Sequence, residues 1–341
     1  MIQPLPWPDA VLDRDSDNRQ EPGFLDAVRT RASRRLMIIQ RGRTLVRDGR
    51  IRYLRPDELP AGVLAREDQA VYLGAVLPGL GDGAGTDLPA GTEVLMLDVT
   101  DDDDPLAWVP GGAVPVNTGP GDTVLIDYRE GAEGLGAVDA GIFVEAQGVA
   151  NWHRTHPRCP RCGSATTLEW AGWMRRCVAD GSEHFPRTDP AVIVAIIGAD
   201  DRILLANNAS WETNHFSTVA GFVESGENLE QAVVREIAEE VGVRLHTPTY
   251  VGSQAWPFPR SLMLGFLART DDVEPMPDGV EVVRARWFGR AELQAAVLSG
   301  EVVISRRTSI ARSLIEHWYG GRIANAGETP VAPVIAGSVA P

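Results

Sequence analysis

Residues 190–208, "PAVIVAIIGADDRILLANN", open with an unbroken apolar run. The pattern predicts two strands around a turn at Ala199-Asp200-Asp201. Upstream, "RLMIIQRGRTLVRDGRIRYL" (35–54) reads as strands with turns at Gly42 and Gly49, and "AVYLGAV" and "TEVLMLDV" as further strands. "GLGDGAGTDLPAG" and "VTDDDDP" read as exposed loops, the acidic run Asp101–Asp104 as solvated chain rather than a cation site. "DAGIFVEAQGVANWH" (139–153) predicts a helix capped by Asp139. From Asn228 to Val241, Leu229, Val233, Ile237 and Val241 recur every four residues, the apolar stripe of a helix packed on a core. "TYVGSQAWPFPRSLMLGFLAR" adds strand, "ARWFGRAELQAAVLSG" ends in a helix, and "SIARSLIEHWYGG" is a final amphipathic helix. The organisation expected is a mixed α/β unit over 1–150, a short Cys-, Arg- and His-rich module over 151–187, a further domain over 188–320, and a disordered Pro- and Ala-rich tail over 321–341.

Composition narrows the function classes. With 341 residues the chain is long enough for two or three domains. Its 32 basic and 47 acidic residues sum to −15, which disfavours general binding to nucleic acid or anionic membrane. Every basic residue other than histidine is arginine, read as a coding bias. No apolar run reaches membrane-span length, and the start lacks a signal pattern. A cytoplasmic protein without membrane partners is expected. The three cysteines, Cys159, Cys162 and Cys177, are clustered, arguing for a metal or an inert reduced site rather than a disulfide framework.

The helix over 228–241 carries the chemistry. Glu236, Glu239 and Glu240 stand at i, i+3 and i+4, on one helical face. Such like charges cost about 0.2–0.5 kcal/mol per pair in an isolated helix. Only Arg235 lies four residues from any of them, in the weaker order. Carboxylates so placed are either a solvated acidic face or hard oxygen ligands suited to Mg²⁺ or Mn²⁺. Gly221, Glu227, Arg235, Glu236, Ile237, Glu239, Glu240, Gly242 and Val243 fit G-x5-E-x7-R-E-U-x-E-E-x-G-U. Segment 221–243 thereby resembles the Nudix signature. The resemblance implies an α/β/α sandwich and metal-dependent hydrolysis of a nucleoside diphosphate linkage. It also implies that Arg235 orients Glu227 or Glu239, that Glu236, Glu239 and Glu240 are ligands, and that Glu240 positions or deprotonates the water.

A second stretch narrows the class. "SQAWPFPRS" (253–261) is similar to the S-Q-P-W-P-F-P-x-S motif of the NADH pyrophosphatase family, matching at Ser253, Gln254, Trp256, Pro257, Phe258, Pro259 and Ser261 and departing at Ala255. The similarity runs over about residues 145–318. It implies hydrolysis of NAD(H) to nicotinamide mononucleotide and AMP by a homodimer, with a mixed α/β N-terminal domain and a zinc-ribbon-like module before the sandwich. Carried over residue by residue, Gln254, Trp256 and Phe258 belong to the substrate-binding motif. Phe222 would stack on the adenine, with Phe185 of a second subunit on its other face. Glu281 would add a carboxylate near the metals, and Ser261 and Ala311 would line the pocket. From the residues alone, Phe222 and Phe185 could as well be core, and Glu281 a surface charge.

Cys159-Pro-Arg-Cys162 is a knuckle that could wrap a tetrahedral metal, and Cys177 follows at near zinc-ribbon spacing. The fourth cysteine of the family's site is absent. Asp180 stands in its place, with His184, His153 and His156 as alternatives, for a structural Zn²⁺. Arg154, Arg158, Arg161, Arg175, Arg176 and Arg187 cluster here against few acids, either a solvated arginine surface or a guide for an anionic substrate or RNA end. Removal of NAD caps from RNA is the alternative activity, and a non-catalytic dinucleotide sensor the alternative class. The intact Glu239 and Glu240 argue against the sensor, and "WPFP" against ADP-ribose hydrolysis.

Overall fold

The structure, a computed structural model, describes residues 10–58, 66, 69–79, 85–100 and 121–333. The run Asp101–Asp104 and the chain beyond 333 lie outside the described residues. The chain divides into two compact units. The first runs through Arg187 and adds Trp256–Arg260; the second comprises Thr188–Ala255 and the chain from Ser261.

The first unit contains β1 (Leu12–Asp13), α1 (Phe24–Thr30), β2 (Arg35–Gln40), β3 (Arg43–Arg47), β4 (Arg50–Ile51), β5 (Val71–Val76), β6 (Glu93–Asp98) and β7 (Thr123–Asp127). They form one sheet in the order β1-β5-β6-β2-β3-β4, with β7 on β3. Strands β2 and β6 pair in parallel. Arg41-Gly42 and Asp48-Gly49 turn the hairpins at positive φ, the two-residue loop geometry that matches strand twist and favours glycine. Along β2, Leu36 and Ile38 enter one apolar cluster, and Met37 and Ile39 enter another. The sheet is therefore buried on both faces. The helices α2 (Tyr128–Gly131) and α3 (Ala137–Thr155) follow, and α3 lays Ile142, Phe143, Ala146 and Val149 on the Met37 side.

Gly136, not Asp139, occupies the N-cap of α3, which corrects the sequence expectation. Asp139 is fully buried in the first turn, where its carboxylate accepts from Ile51 N at 2.7 Å and Tyr53 Oη at 3.0 Å. It ties the helix to β4 instead of closing the helix end. A three-stranded antiparallel ribbon completes the unit, with β8 (Thr166–Glu169), β9 (Met174–Cys177) and β10 (Glu183–His184).

The second unit contains β11 (Asp189–Gly198), β12 (Ile203–Asn208), β13 (His215–Phe216), β14 (Val219–Phe222), α4 (Leu229–Val241), β15 (Thr249–Trp256, its last residue counted with the first unit), β16 (Ser261–Thr270), β17 (Val282–Phe288), α5 (Arg290–Ser299), β18 (Val303–Ile304) and α6 (Ile310–Tyr319). The main sheet runs β15-β16-β11-β12-β17, with β14 beside β11. β11 and β16 pair in parallel over their full lengths. The apolar run of β11 reflects burial on both faces: Val192, Val194 and Ile196 pack under α4, and Ile193, Ala195 and Ile197 under α5 and α6. This is the α/β/α sandwich.

Helix α6 is the amphipathic helix expected, yet all but one of its residues are buried. Arg312 and Glu316 form a buried ion pair at 2.7 Å, and each also bonds the backbone of Ile323. Ile323 and Ala324, placed by sequence in the loose tail, are buried, and the Gln294 amide bonds both backbone groups of Ala324. The segment after α6 thus covers the helix's polar side.

Candidate active site and metal centre

Helix α4 is held at both ends. Asn228 and Gln231 form a reciprocal capping box at 2.8 and 3.0 Å, and Gly242 ends the helix at φ 67°. The strand β14 brings Gly221 so close that an added Cβ would lie 2.0 Å from Glu236 Cδ. Only glycine leaves room for that carboxylate.

Arg235 is the hub of the acidic face. Its guanidinium donates to Glu227 at 2.6 and 2.9 Å, to Glu236 at 2.9 Å, to Glu239 at 3.0 Å and to the Phe222 carbonyl at 2.9 Å. Arg235 thus bonds both Glu227 and Glu239, the two carboxylates between which the expectation was open. The Arg235 pairing holds Glu227 down at about 2. Arg235 itself is held above its usual range.

Glu240 is different. It is buried, and among the described residues no cation pairs with it. Burial, then the charges of Glu236, Glu281, Asp278 and Glu239, push its carboxyl up to about 8. Burial also raises Glu236. The predicted Glu236, Glu239, Glu240 and Glu281 are therefore brought together electrostatically, with Glu281 exposed. Sequence reasoning missed Asp278. Its carboxylate accepts from the backbone N–H groups of Val280, Glu281 and Val282 at 3.2, 3.1 and 2.8 Å, and its own N–H donates to Glu240 O at 3.1 Å. Asp278 fixes the turn carrying Glu281 against the end of α4. The Asp278-Gly279 pair was the available signal.

The predicted substrate contacts fall in several places. Phe222 and Phe185 are not core: they are 56% and 45% exposed. Phe185 lies with its ring centroid 5.4 Å from that of Trp170, the planes tilted by 51°, within the first unit. Gln254 is buried and its amide is taken up by Thr308 O and Ile310 N, both at 2.7 Å, so it anchors the start of α6. Ser261 is buried at the start of β16, and Ala311 in α6. Trp256 and Phe258 pack on the core of the first unit, each in ring contact with Tyr128, and Arg129 lies 4.2 Å over Phe258. Asn151 Nδ2 donates to Pro257 O and Pro259 O at 2.8 and 2.9 Å.

In the ribbon, the Sγ atoms of Cys159, Cys162 and Cys177 and a carboxylate oxygen of Asp180 all lie within 4.8 Å of one another. Backbone N–H groups of Arg161 and Ala179 point at Cys159 and Cys177 Sγ, each at 3.4 Å. Donors this close, three of them sulfur, fit one tetrahedral metal ion. His153 is engaged elsewhere, with Gly172 O and Arg175, and His156 with Trp152 O. His184 stands one step out, bonded to Ser182.

A mixed sheet between helices, with the carboxylate helix following a glycine loop, defines a Nudix domain. Residues 187–310 match the NUDIX domain, residues 154–185 the NADH pyrophosphatase zinc ribbon domain, and residues 33–152 the NADH pyrophosphatase-like rudimentary NUDIX domain. The chain belongs to the NADH pyrophosphatase family of Nudix proteins. It is similar to the NAD-capped RNA hydrolase NudC of Mycobacterium tuberculosis (strain ATCC 25618 / H37Rv), 42% identical over 187 residues, which are 52% of this chain and 59% of that protein. The NAD-capped RNA hydrolase NudC of Stutzerimonas stutzeri is 40% identical over 185 residues, 54% of this chain and 63% of that one. The chain thus spans less than two thirds of these relatives' lengths. A solved NUDIX hydrolase from Nitrosomonas europaea aligns at 24% identity and a TM-score of 0.37, over 50% of this chain and 94% of that one. No described helix is long and apolar enough to cross a membrane.

Proposed function

We propose that the chain hydrolyses the pyrophosphate bond of NAD(H) to nicotinamide mononucleotide and AMP, and opens the same bond where NAD caps an RNA. The observation that carries this reading is Glu240, a buried carboxylate without a cation, surrounded by further carboxylates on the signature helix. Mg²⁺ or Mn²⁺ held by Glu236, Glu239, Glu240 and Glu281 would supply charge neutralisation at the pyrophosphate and a water of lowered pKa. Arg235 holds Glu227 and Glu239 in place. Glu240, as a carboxylate, would position the attacking water and accept its proton as the water oxygen bonds to phosphorus and the P–O–P bridge opens. Phe222 offers its exposed ring to the adenine, and Phe185 of a second subunit covers the other face in a homodimer. Gln254, Trp256, Phe258, Ser261 and Ala311 act on the substrate through the walls they build. Cys159, Cys162, Cys177 and Asp180 hold a structural Zn²⁺. The NAD-capped RNA reading is favoured by the names of the relatives.

Product analysis tests this. The protein is incubated with NADH, NAD-capped RNA and ADP-ribose at equal concentration, with Mg²⁺ or Mn²⁺. Reduced nicotinamide mononucleotide and AMP are expected from NADH, with the rate reduced about 10²–10⁴-fold in Glu240→Gln. No hydrolysis of any of the three by folded, metal-supplied protein would overturn the reading.

A further inference from the structure

The first unit contains a cavity of about 520 Å³, bounded by β5, β6, α3 and the ribbon. Arg175 lines it and is 8% exposed. Its guanidinium meets neutral partners: Thr166 Oγ1 at 2.6 Å, Thr166 O at 3.2 Å and His153 Nδ1 at 3.0 Å. His153 Nε2 lies 2.9 Å from the Gly172 carbonyl, so Nε2 carries the proton and Nδ1 accepts from Arg175. Burial and the neighbouring Arg175 keep this imidazole neutral, pushing it down to about 4. Among the described residues no carboxylate pairs with Arg175. A buried, charged guanidinium without a counter-ion is costly, and here it faces open volume.

The rest of the wall adds charge of the same sign. Arg154 and Arg66 also line the cavity, with Asp98 as the acidic residue. Arg154 lies 3.7 Å from Asp98 and donates to Thr100 Oγ1 at 3.0 Å. Among the described lining residues, Arg175 and Arg154 with Arg66 outnumber Asp98, a cationic balance in a protein of net charge −15. Val71, Met96 and Leu168 give it an apolar side. The volume is that of a small-molecule site. The geometry points to a binding site for a nucleoside monophosphate, its phosphate on Arg175 and Arg154 and its base against the apolar wall. The phosphate could belong to a free mononucleotide or to the 5′ end of an RNA. The site is separate from the carboxylate cluster and does not depend on the function proposed above.

Calorimetric titration of the full chain with AMP tests it, beside adenosine, inorganic phosphate and a 5′-phosphorylated adenosine dinucleotide. AMP binding is expected to survive Phe222→Ala, to compete with inorganic phosphate, and to weaken about tenfold or more in Arg175→Gln, the loss expected of a charge-assisted contact. Adenosine should bind far more weakly. The dinucleotide distinguishes an RNA end, which it would mimic, from a free nucleotide, which alone would bind. Arg154→Ala, at an exposed position, keeps the test valid if Arg175→Gln does not fold. Unchanged AMP affinity in a folded Arg175→Gln or in Arg154→Ala, or binding lost only in Phe222→Ala, overturns the proposal. Hydrolysis of NADH is measured in Arg175→Gln and Arg154→Ala and is expected to persist there, so failure of this site is distinguishable from failure of the enzyme reading.

Discussion

Two buried carboxylates show how one functional group takes opposite tasks. Glu240 holds its proton up to about 8 because burial and neighbouring carboxylates disfavour its charge. A cation must displace that proton to bind. At pH 7, metal binding is expected to release about one proton per protein, and none from this position in Glu240→Gln; calorimetry in buffers of different ionisation enthalpy measures it. Asp139 is raised to about 6 by burial, against its hydrogen bonds from Ile51 and Tyr53. A group raised in the folded state stabilises fully below its unfolded value near 3.8 and loses that stabilisation as pH rises through 6. Relative to Asp139→Asn, the wild type should therefore lose up to ~3 kcal/mol between pH 3.5 and pH 7.5. Parallel denaturant titrations would show it as a shrinking midpoint difference. That Asp139 lies inside the fold could not be read from its sequence position, which suits a cap equally well. Only the meeting with β4, far away in the chain, gives the carboxylate its donors.

The elements themselves were largely legible. Local periodicity and turn chemistry determine β2, β3, β11, β12 and α4, and the expected turns at Gly42, Gly49 and residues 199–201 lie where the structure has them. The signature spacing located the acidic face of α4, but not the sharing of one guanidinium among three carboxylates, which depends on where the loop carries Glu227. Helix α6 shows the limit of periodicity. Its Arg312 and Glu316 mark a polar face that a later segment then buries. Arg312→Ala leaves Glu316 buried without its cation and should cost about 3–5 kcal/mol. The double variant Arg312→Met, Glu316→Leu should cost clearly less, because both charges leave together. Chemical denaturation of the two variants decides between a paired and a merely adjacent arrangement.

For the whole molecule, the metal proposed for the ribbon would tie stability to metal supply. Three thiols and one carboxylate gathered within 4.8 Å repel one another when deprotonated unless a cation joins them. A strong chelator should lower the melting temperature of the wild type, and added Zn²⁺ should restore it. Asp180→Ala should start lower and respond less, whereas Asp180→Cys should retain zinc, measured by metal content after gel filtration.

The motif around Trp256 resembles a substrate-binding motif, and its aromatic rings lie on Tyr128 of the first unit. Residues 256–260 leave the ribosome 69–73 residues after Arg187. At about 5–20 residues per second, that is a wait of roughly 4–15 s. During synthesis the first unit therefore stands with Tyr128 uncovered until nearly half of the second has been made. A fragment ending at Arg187 would keep that exposed patch permanently. The chain's own order of birth makes its N-terminal half a client of its C-terminal half.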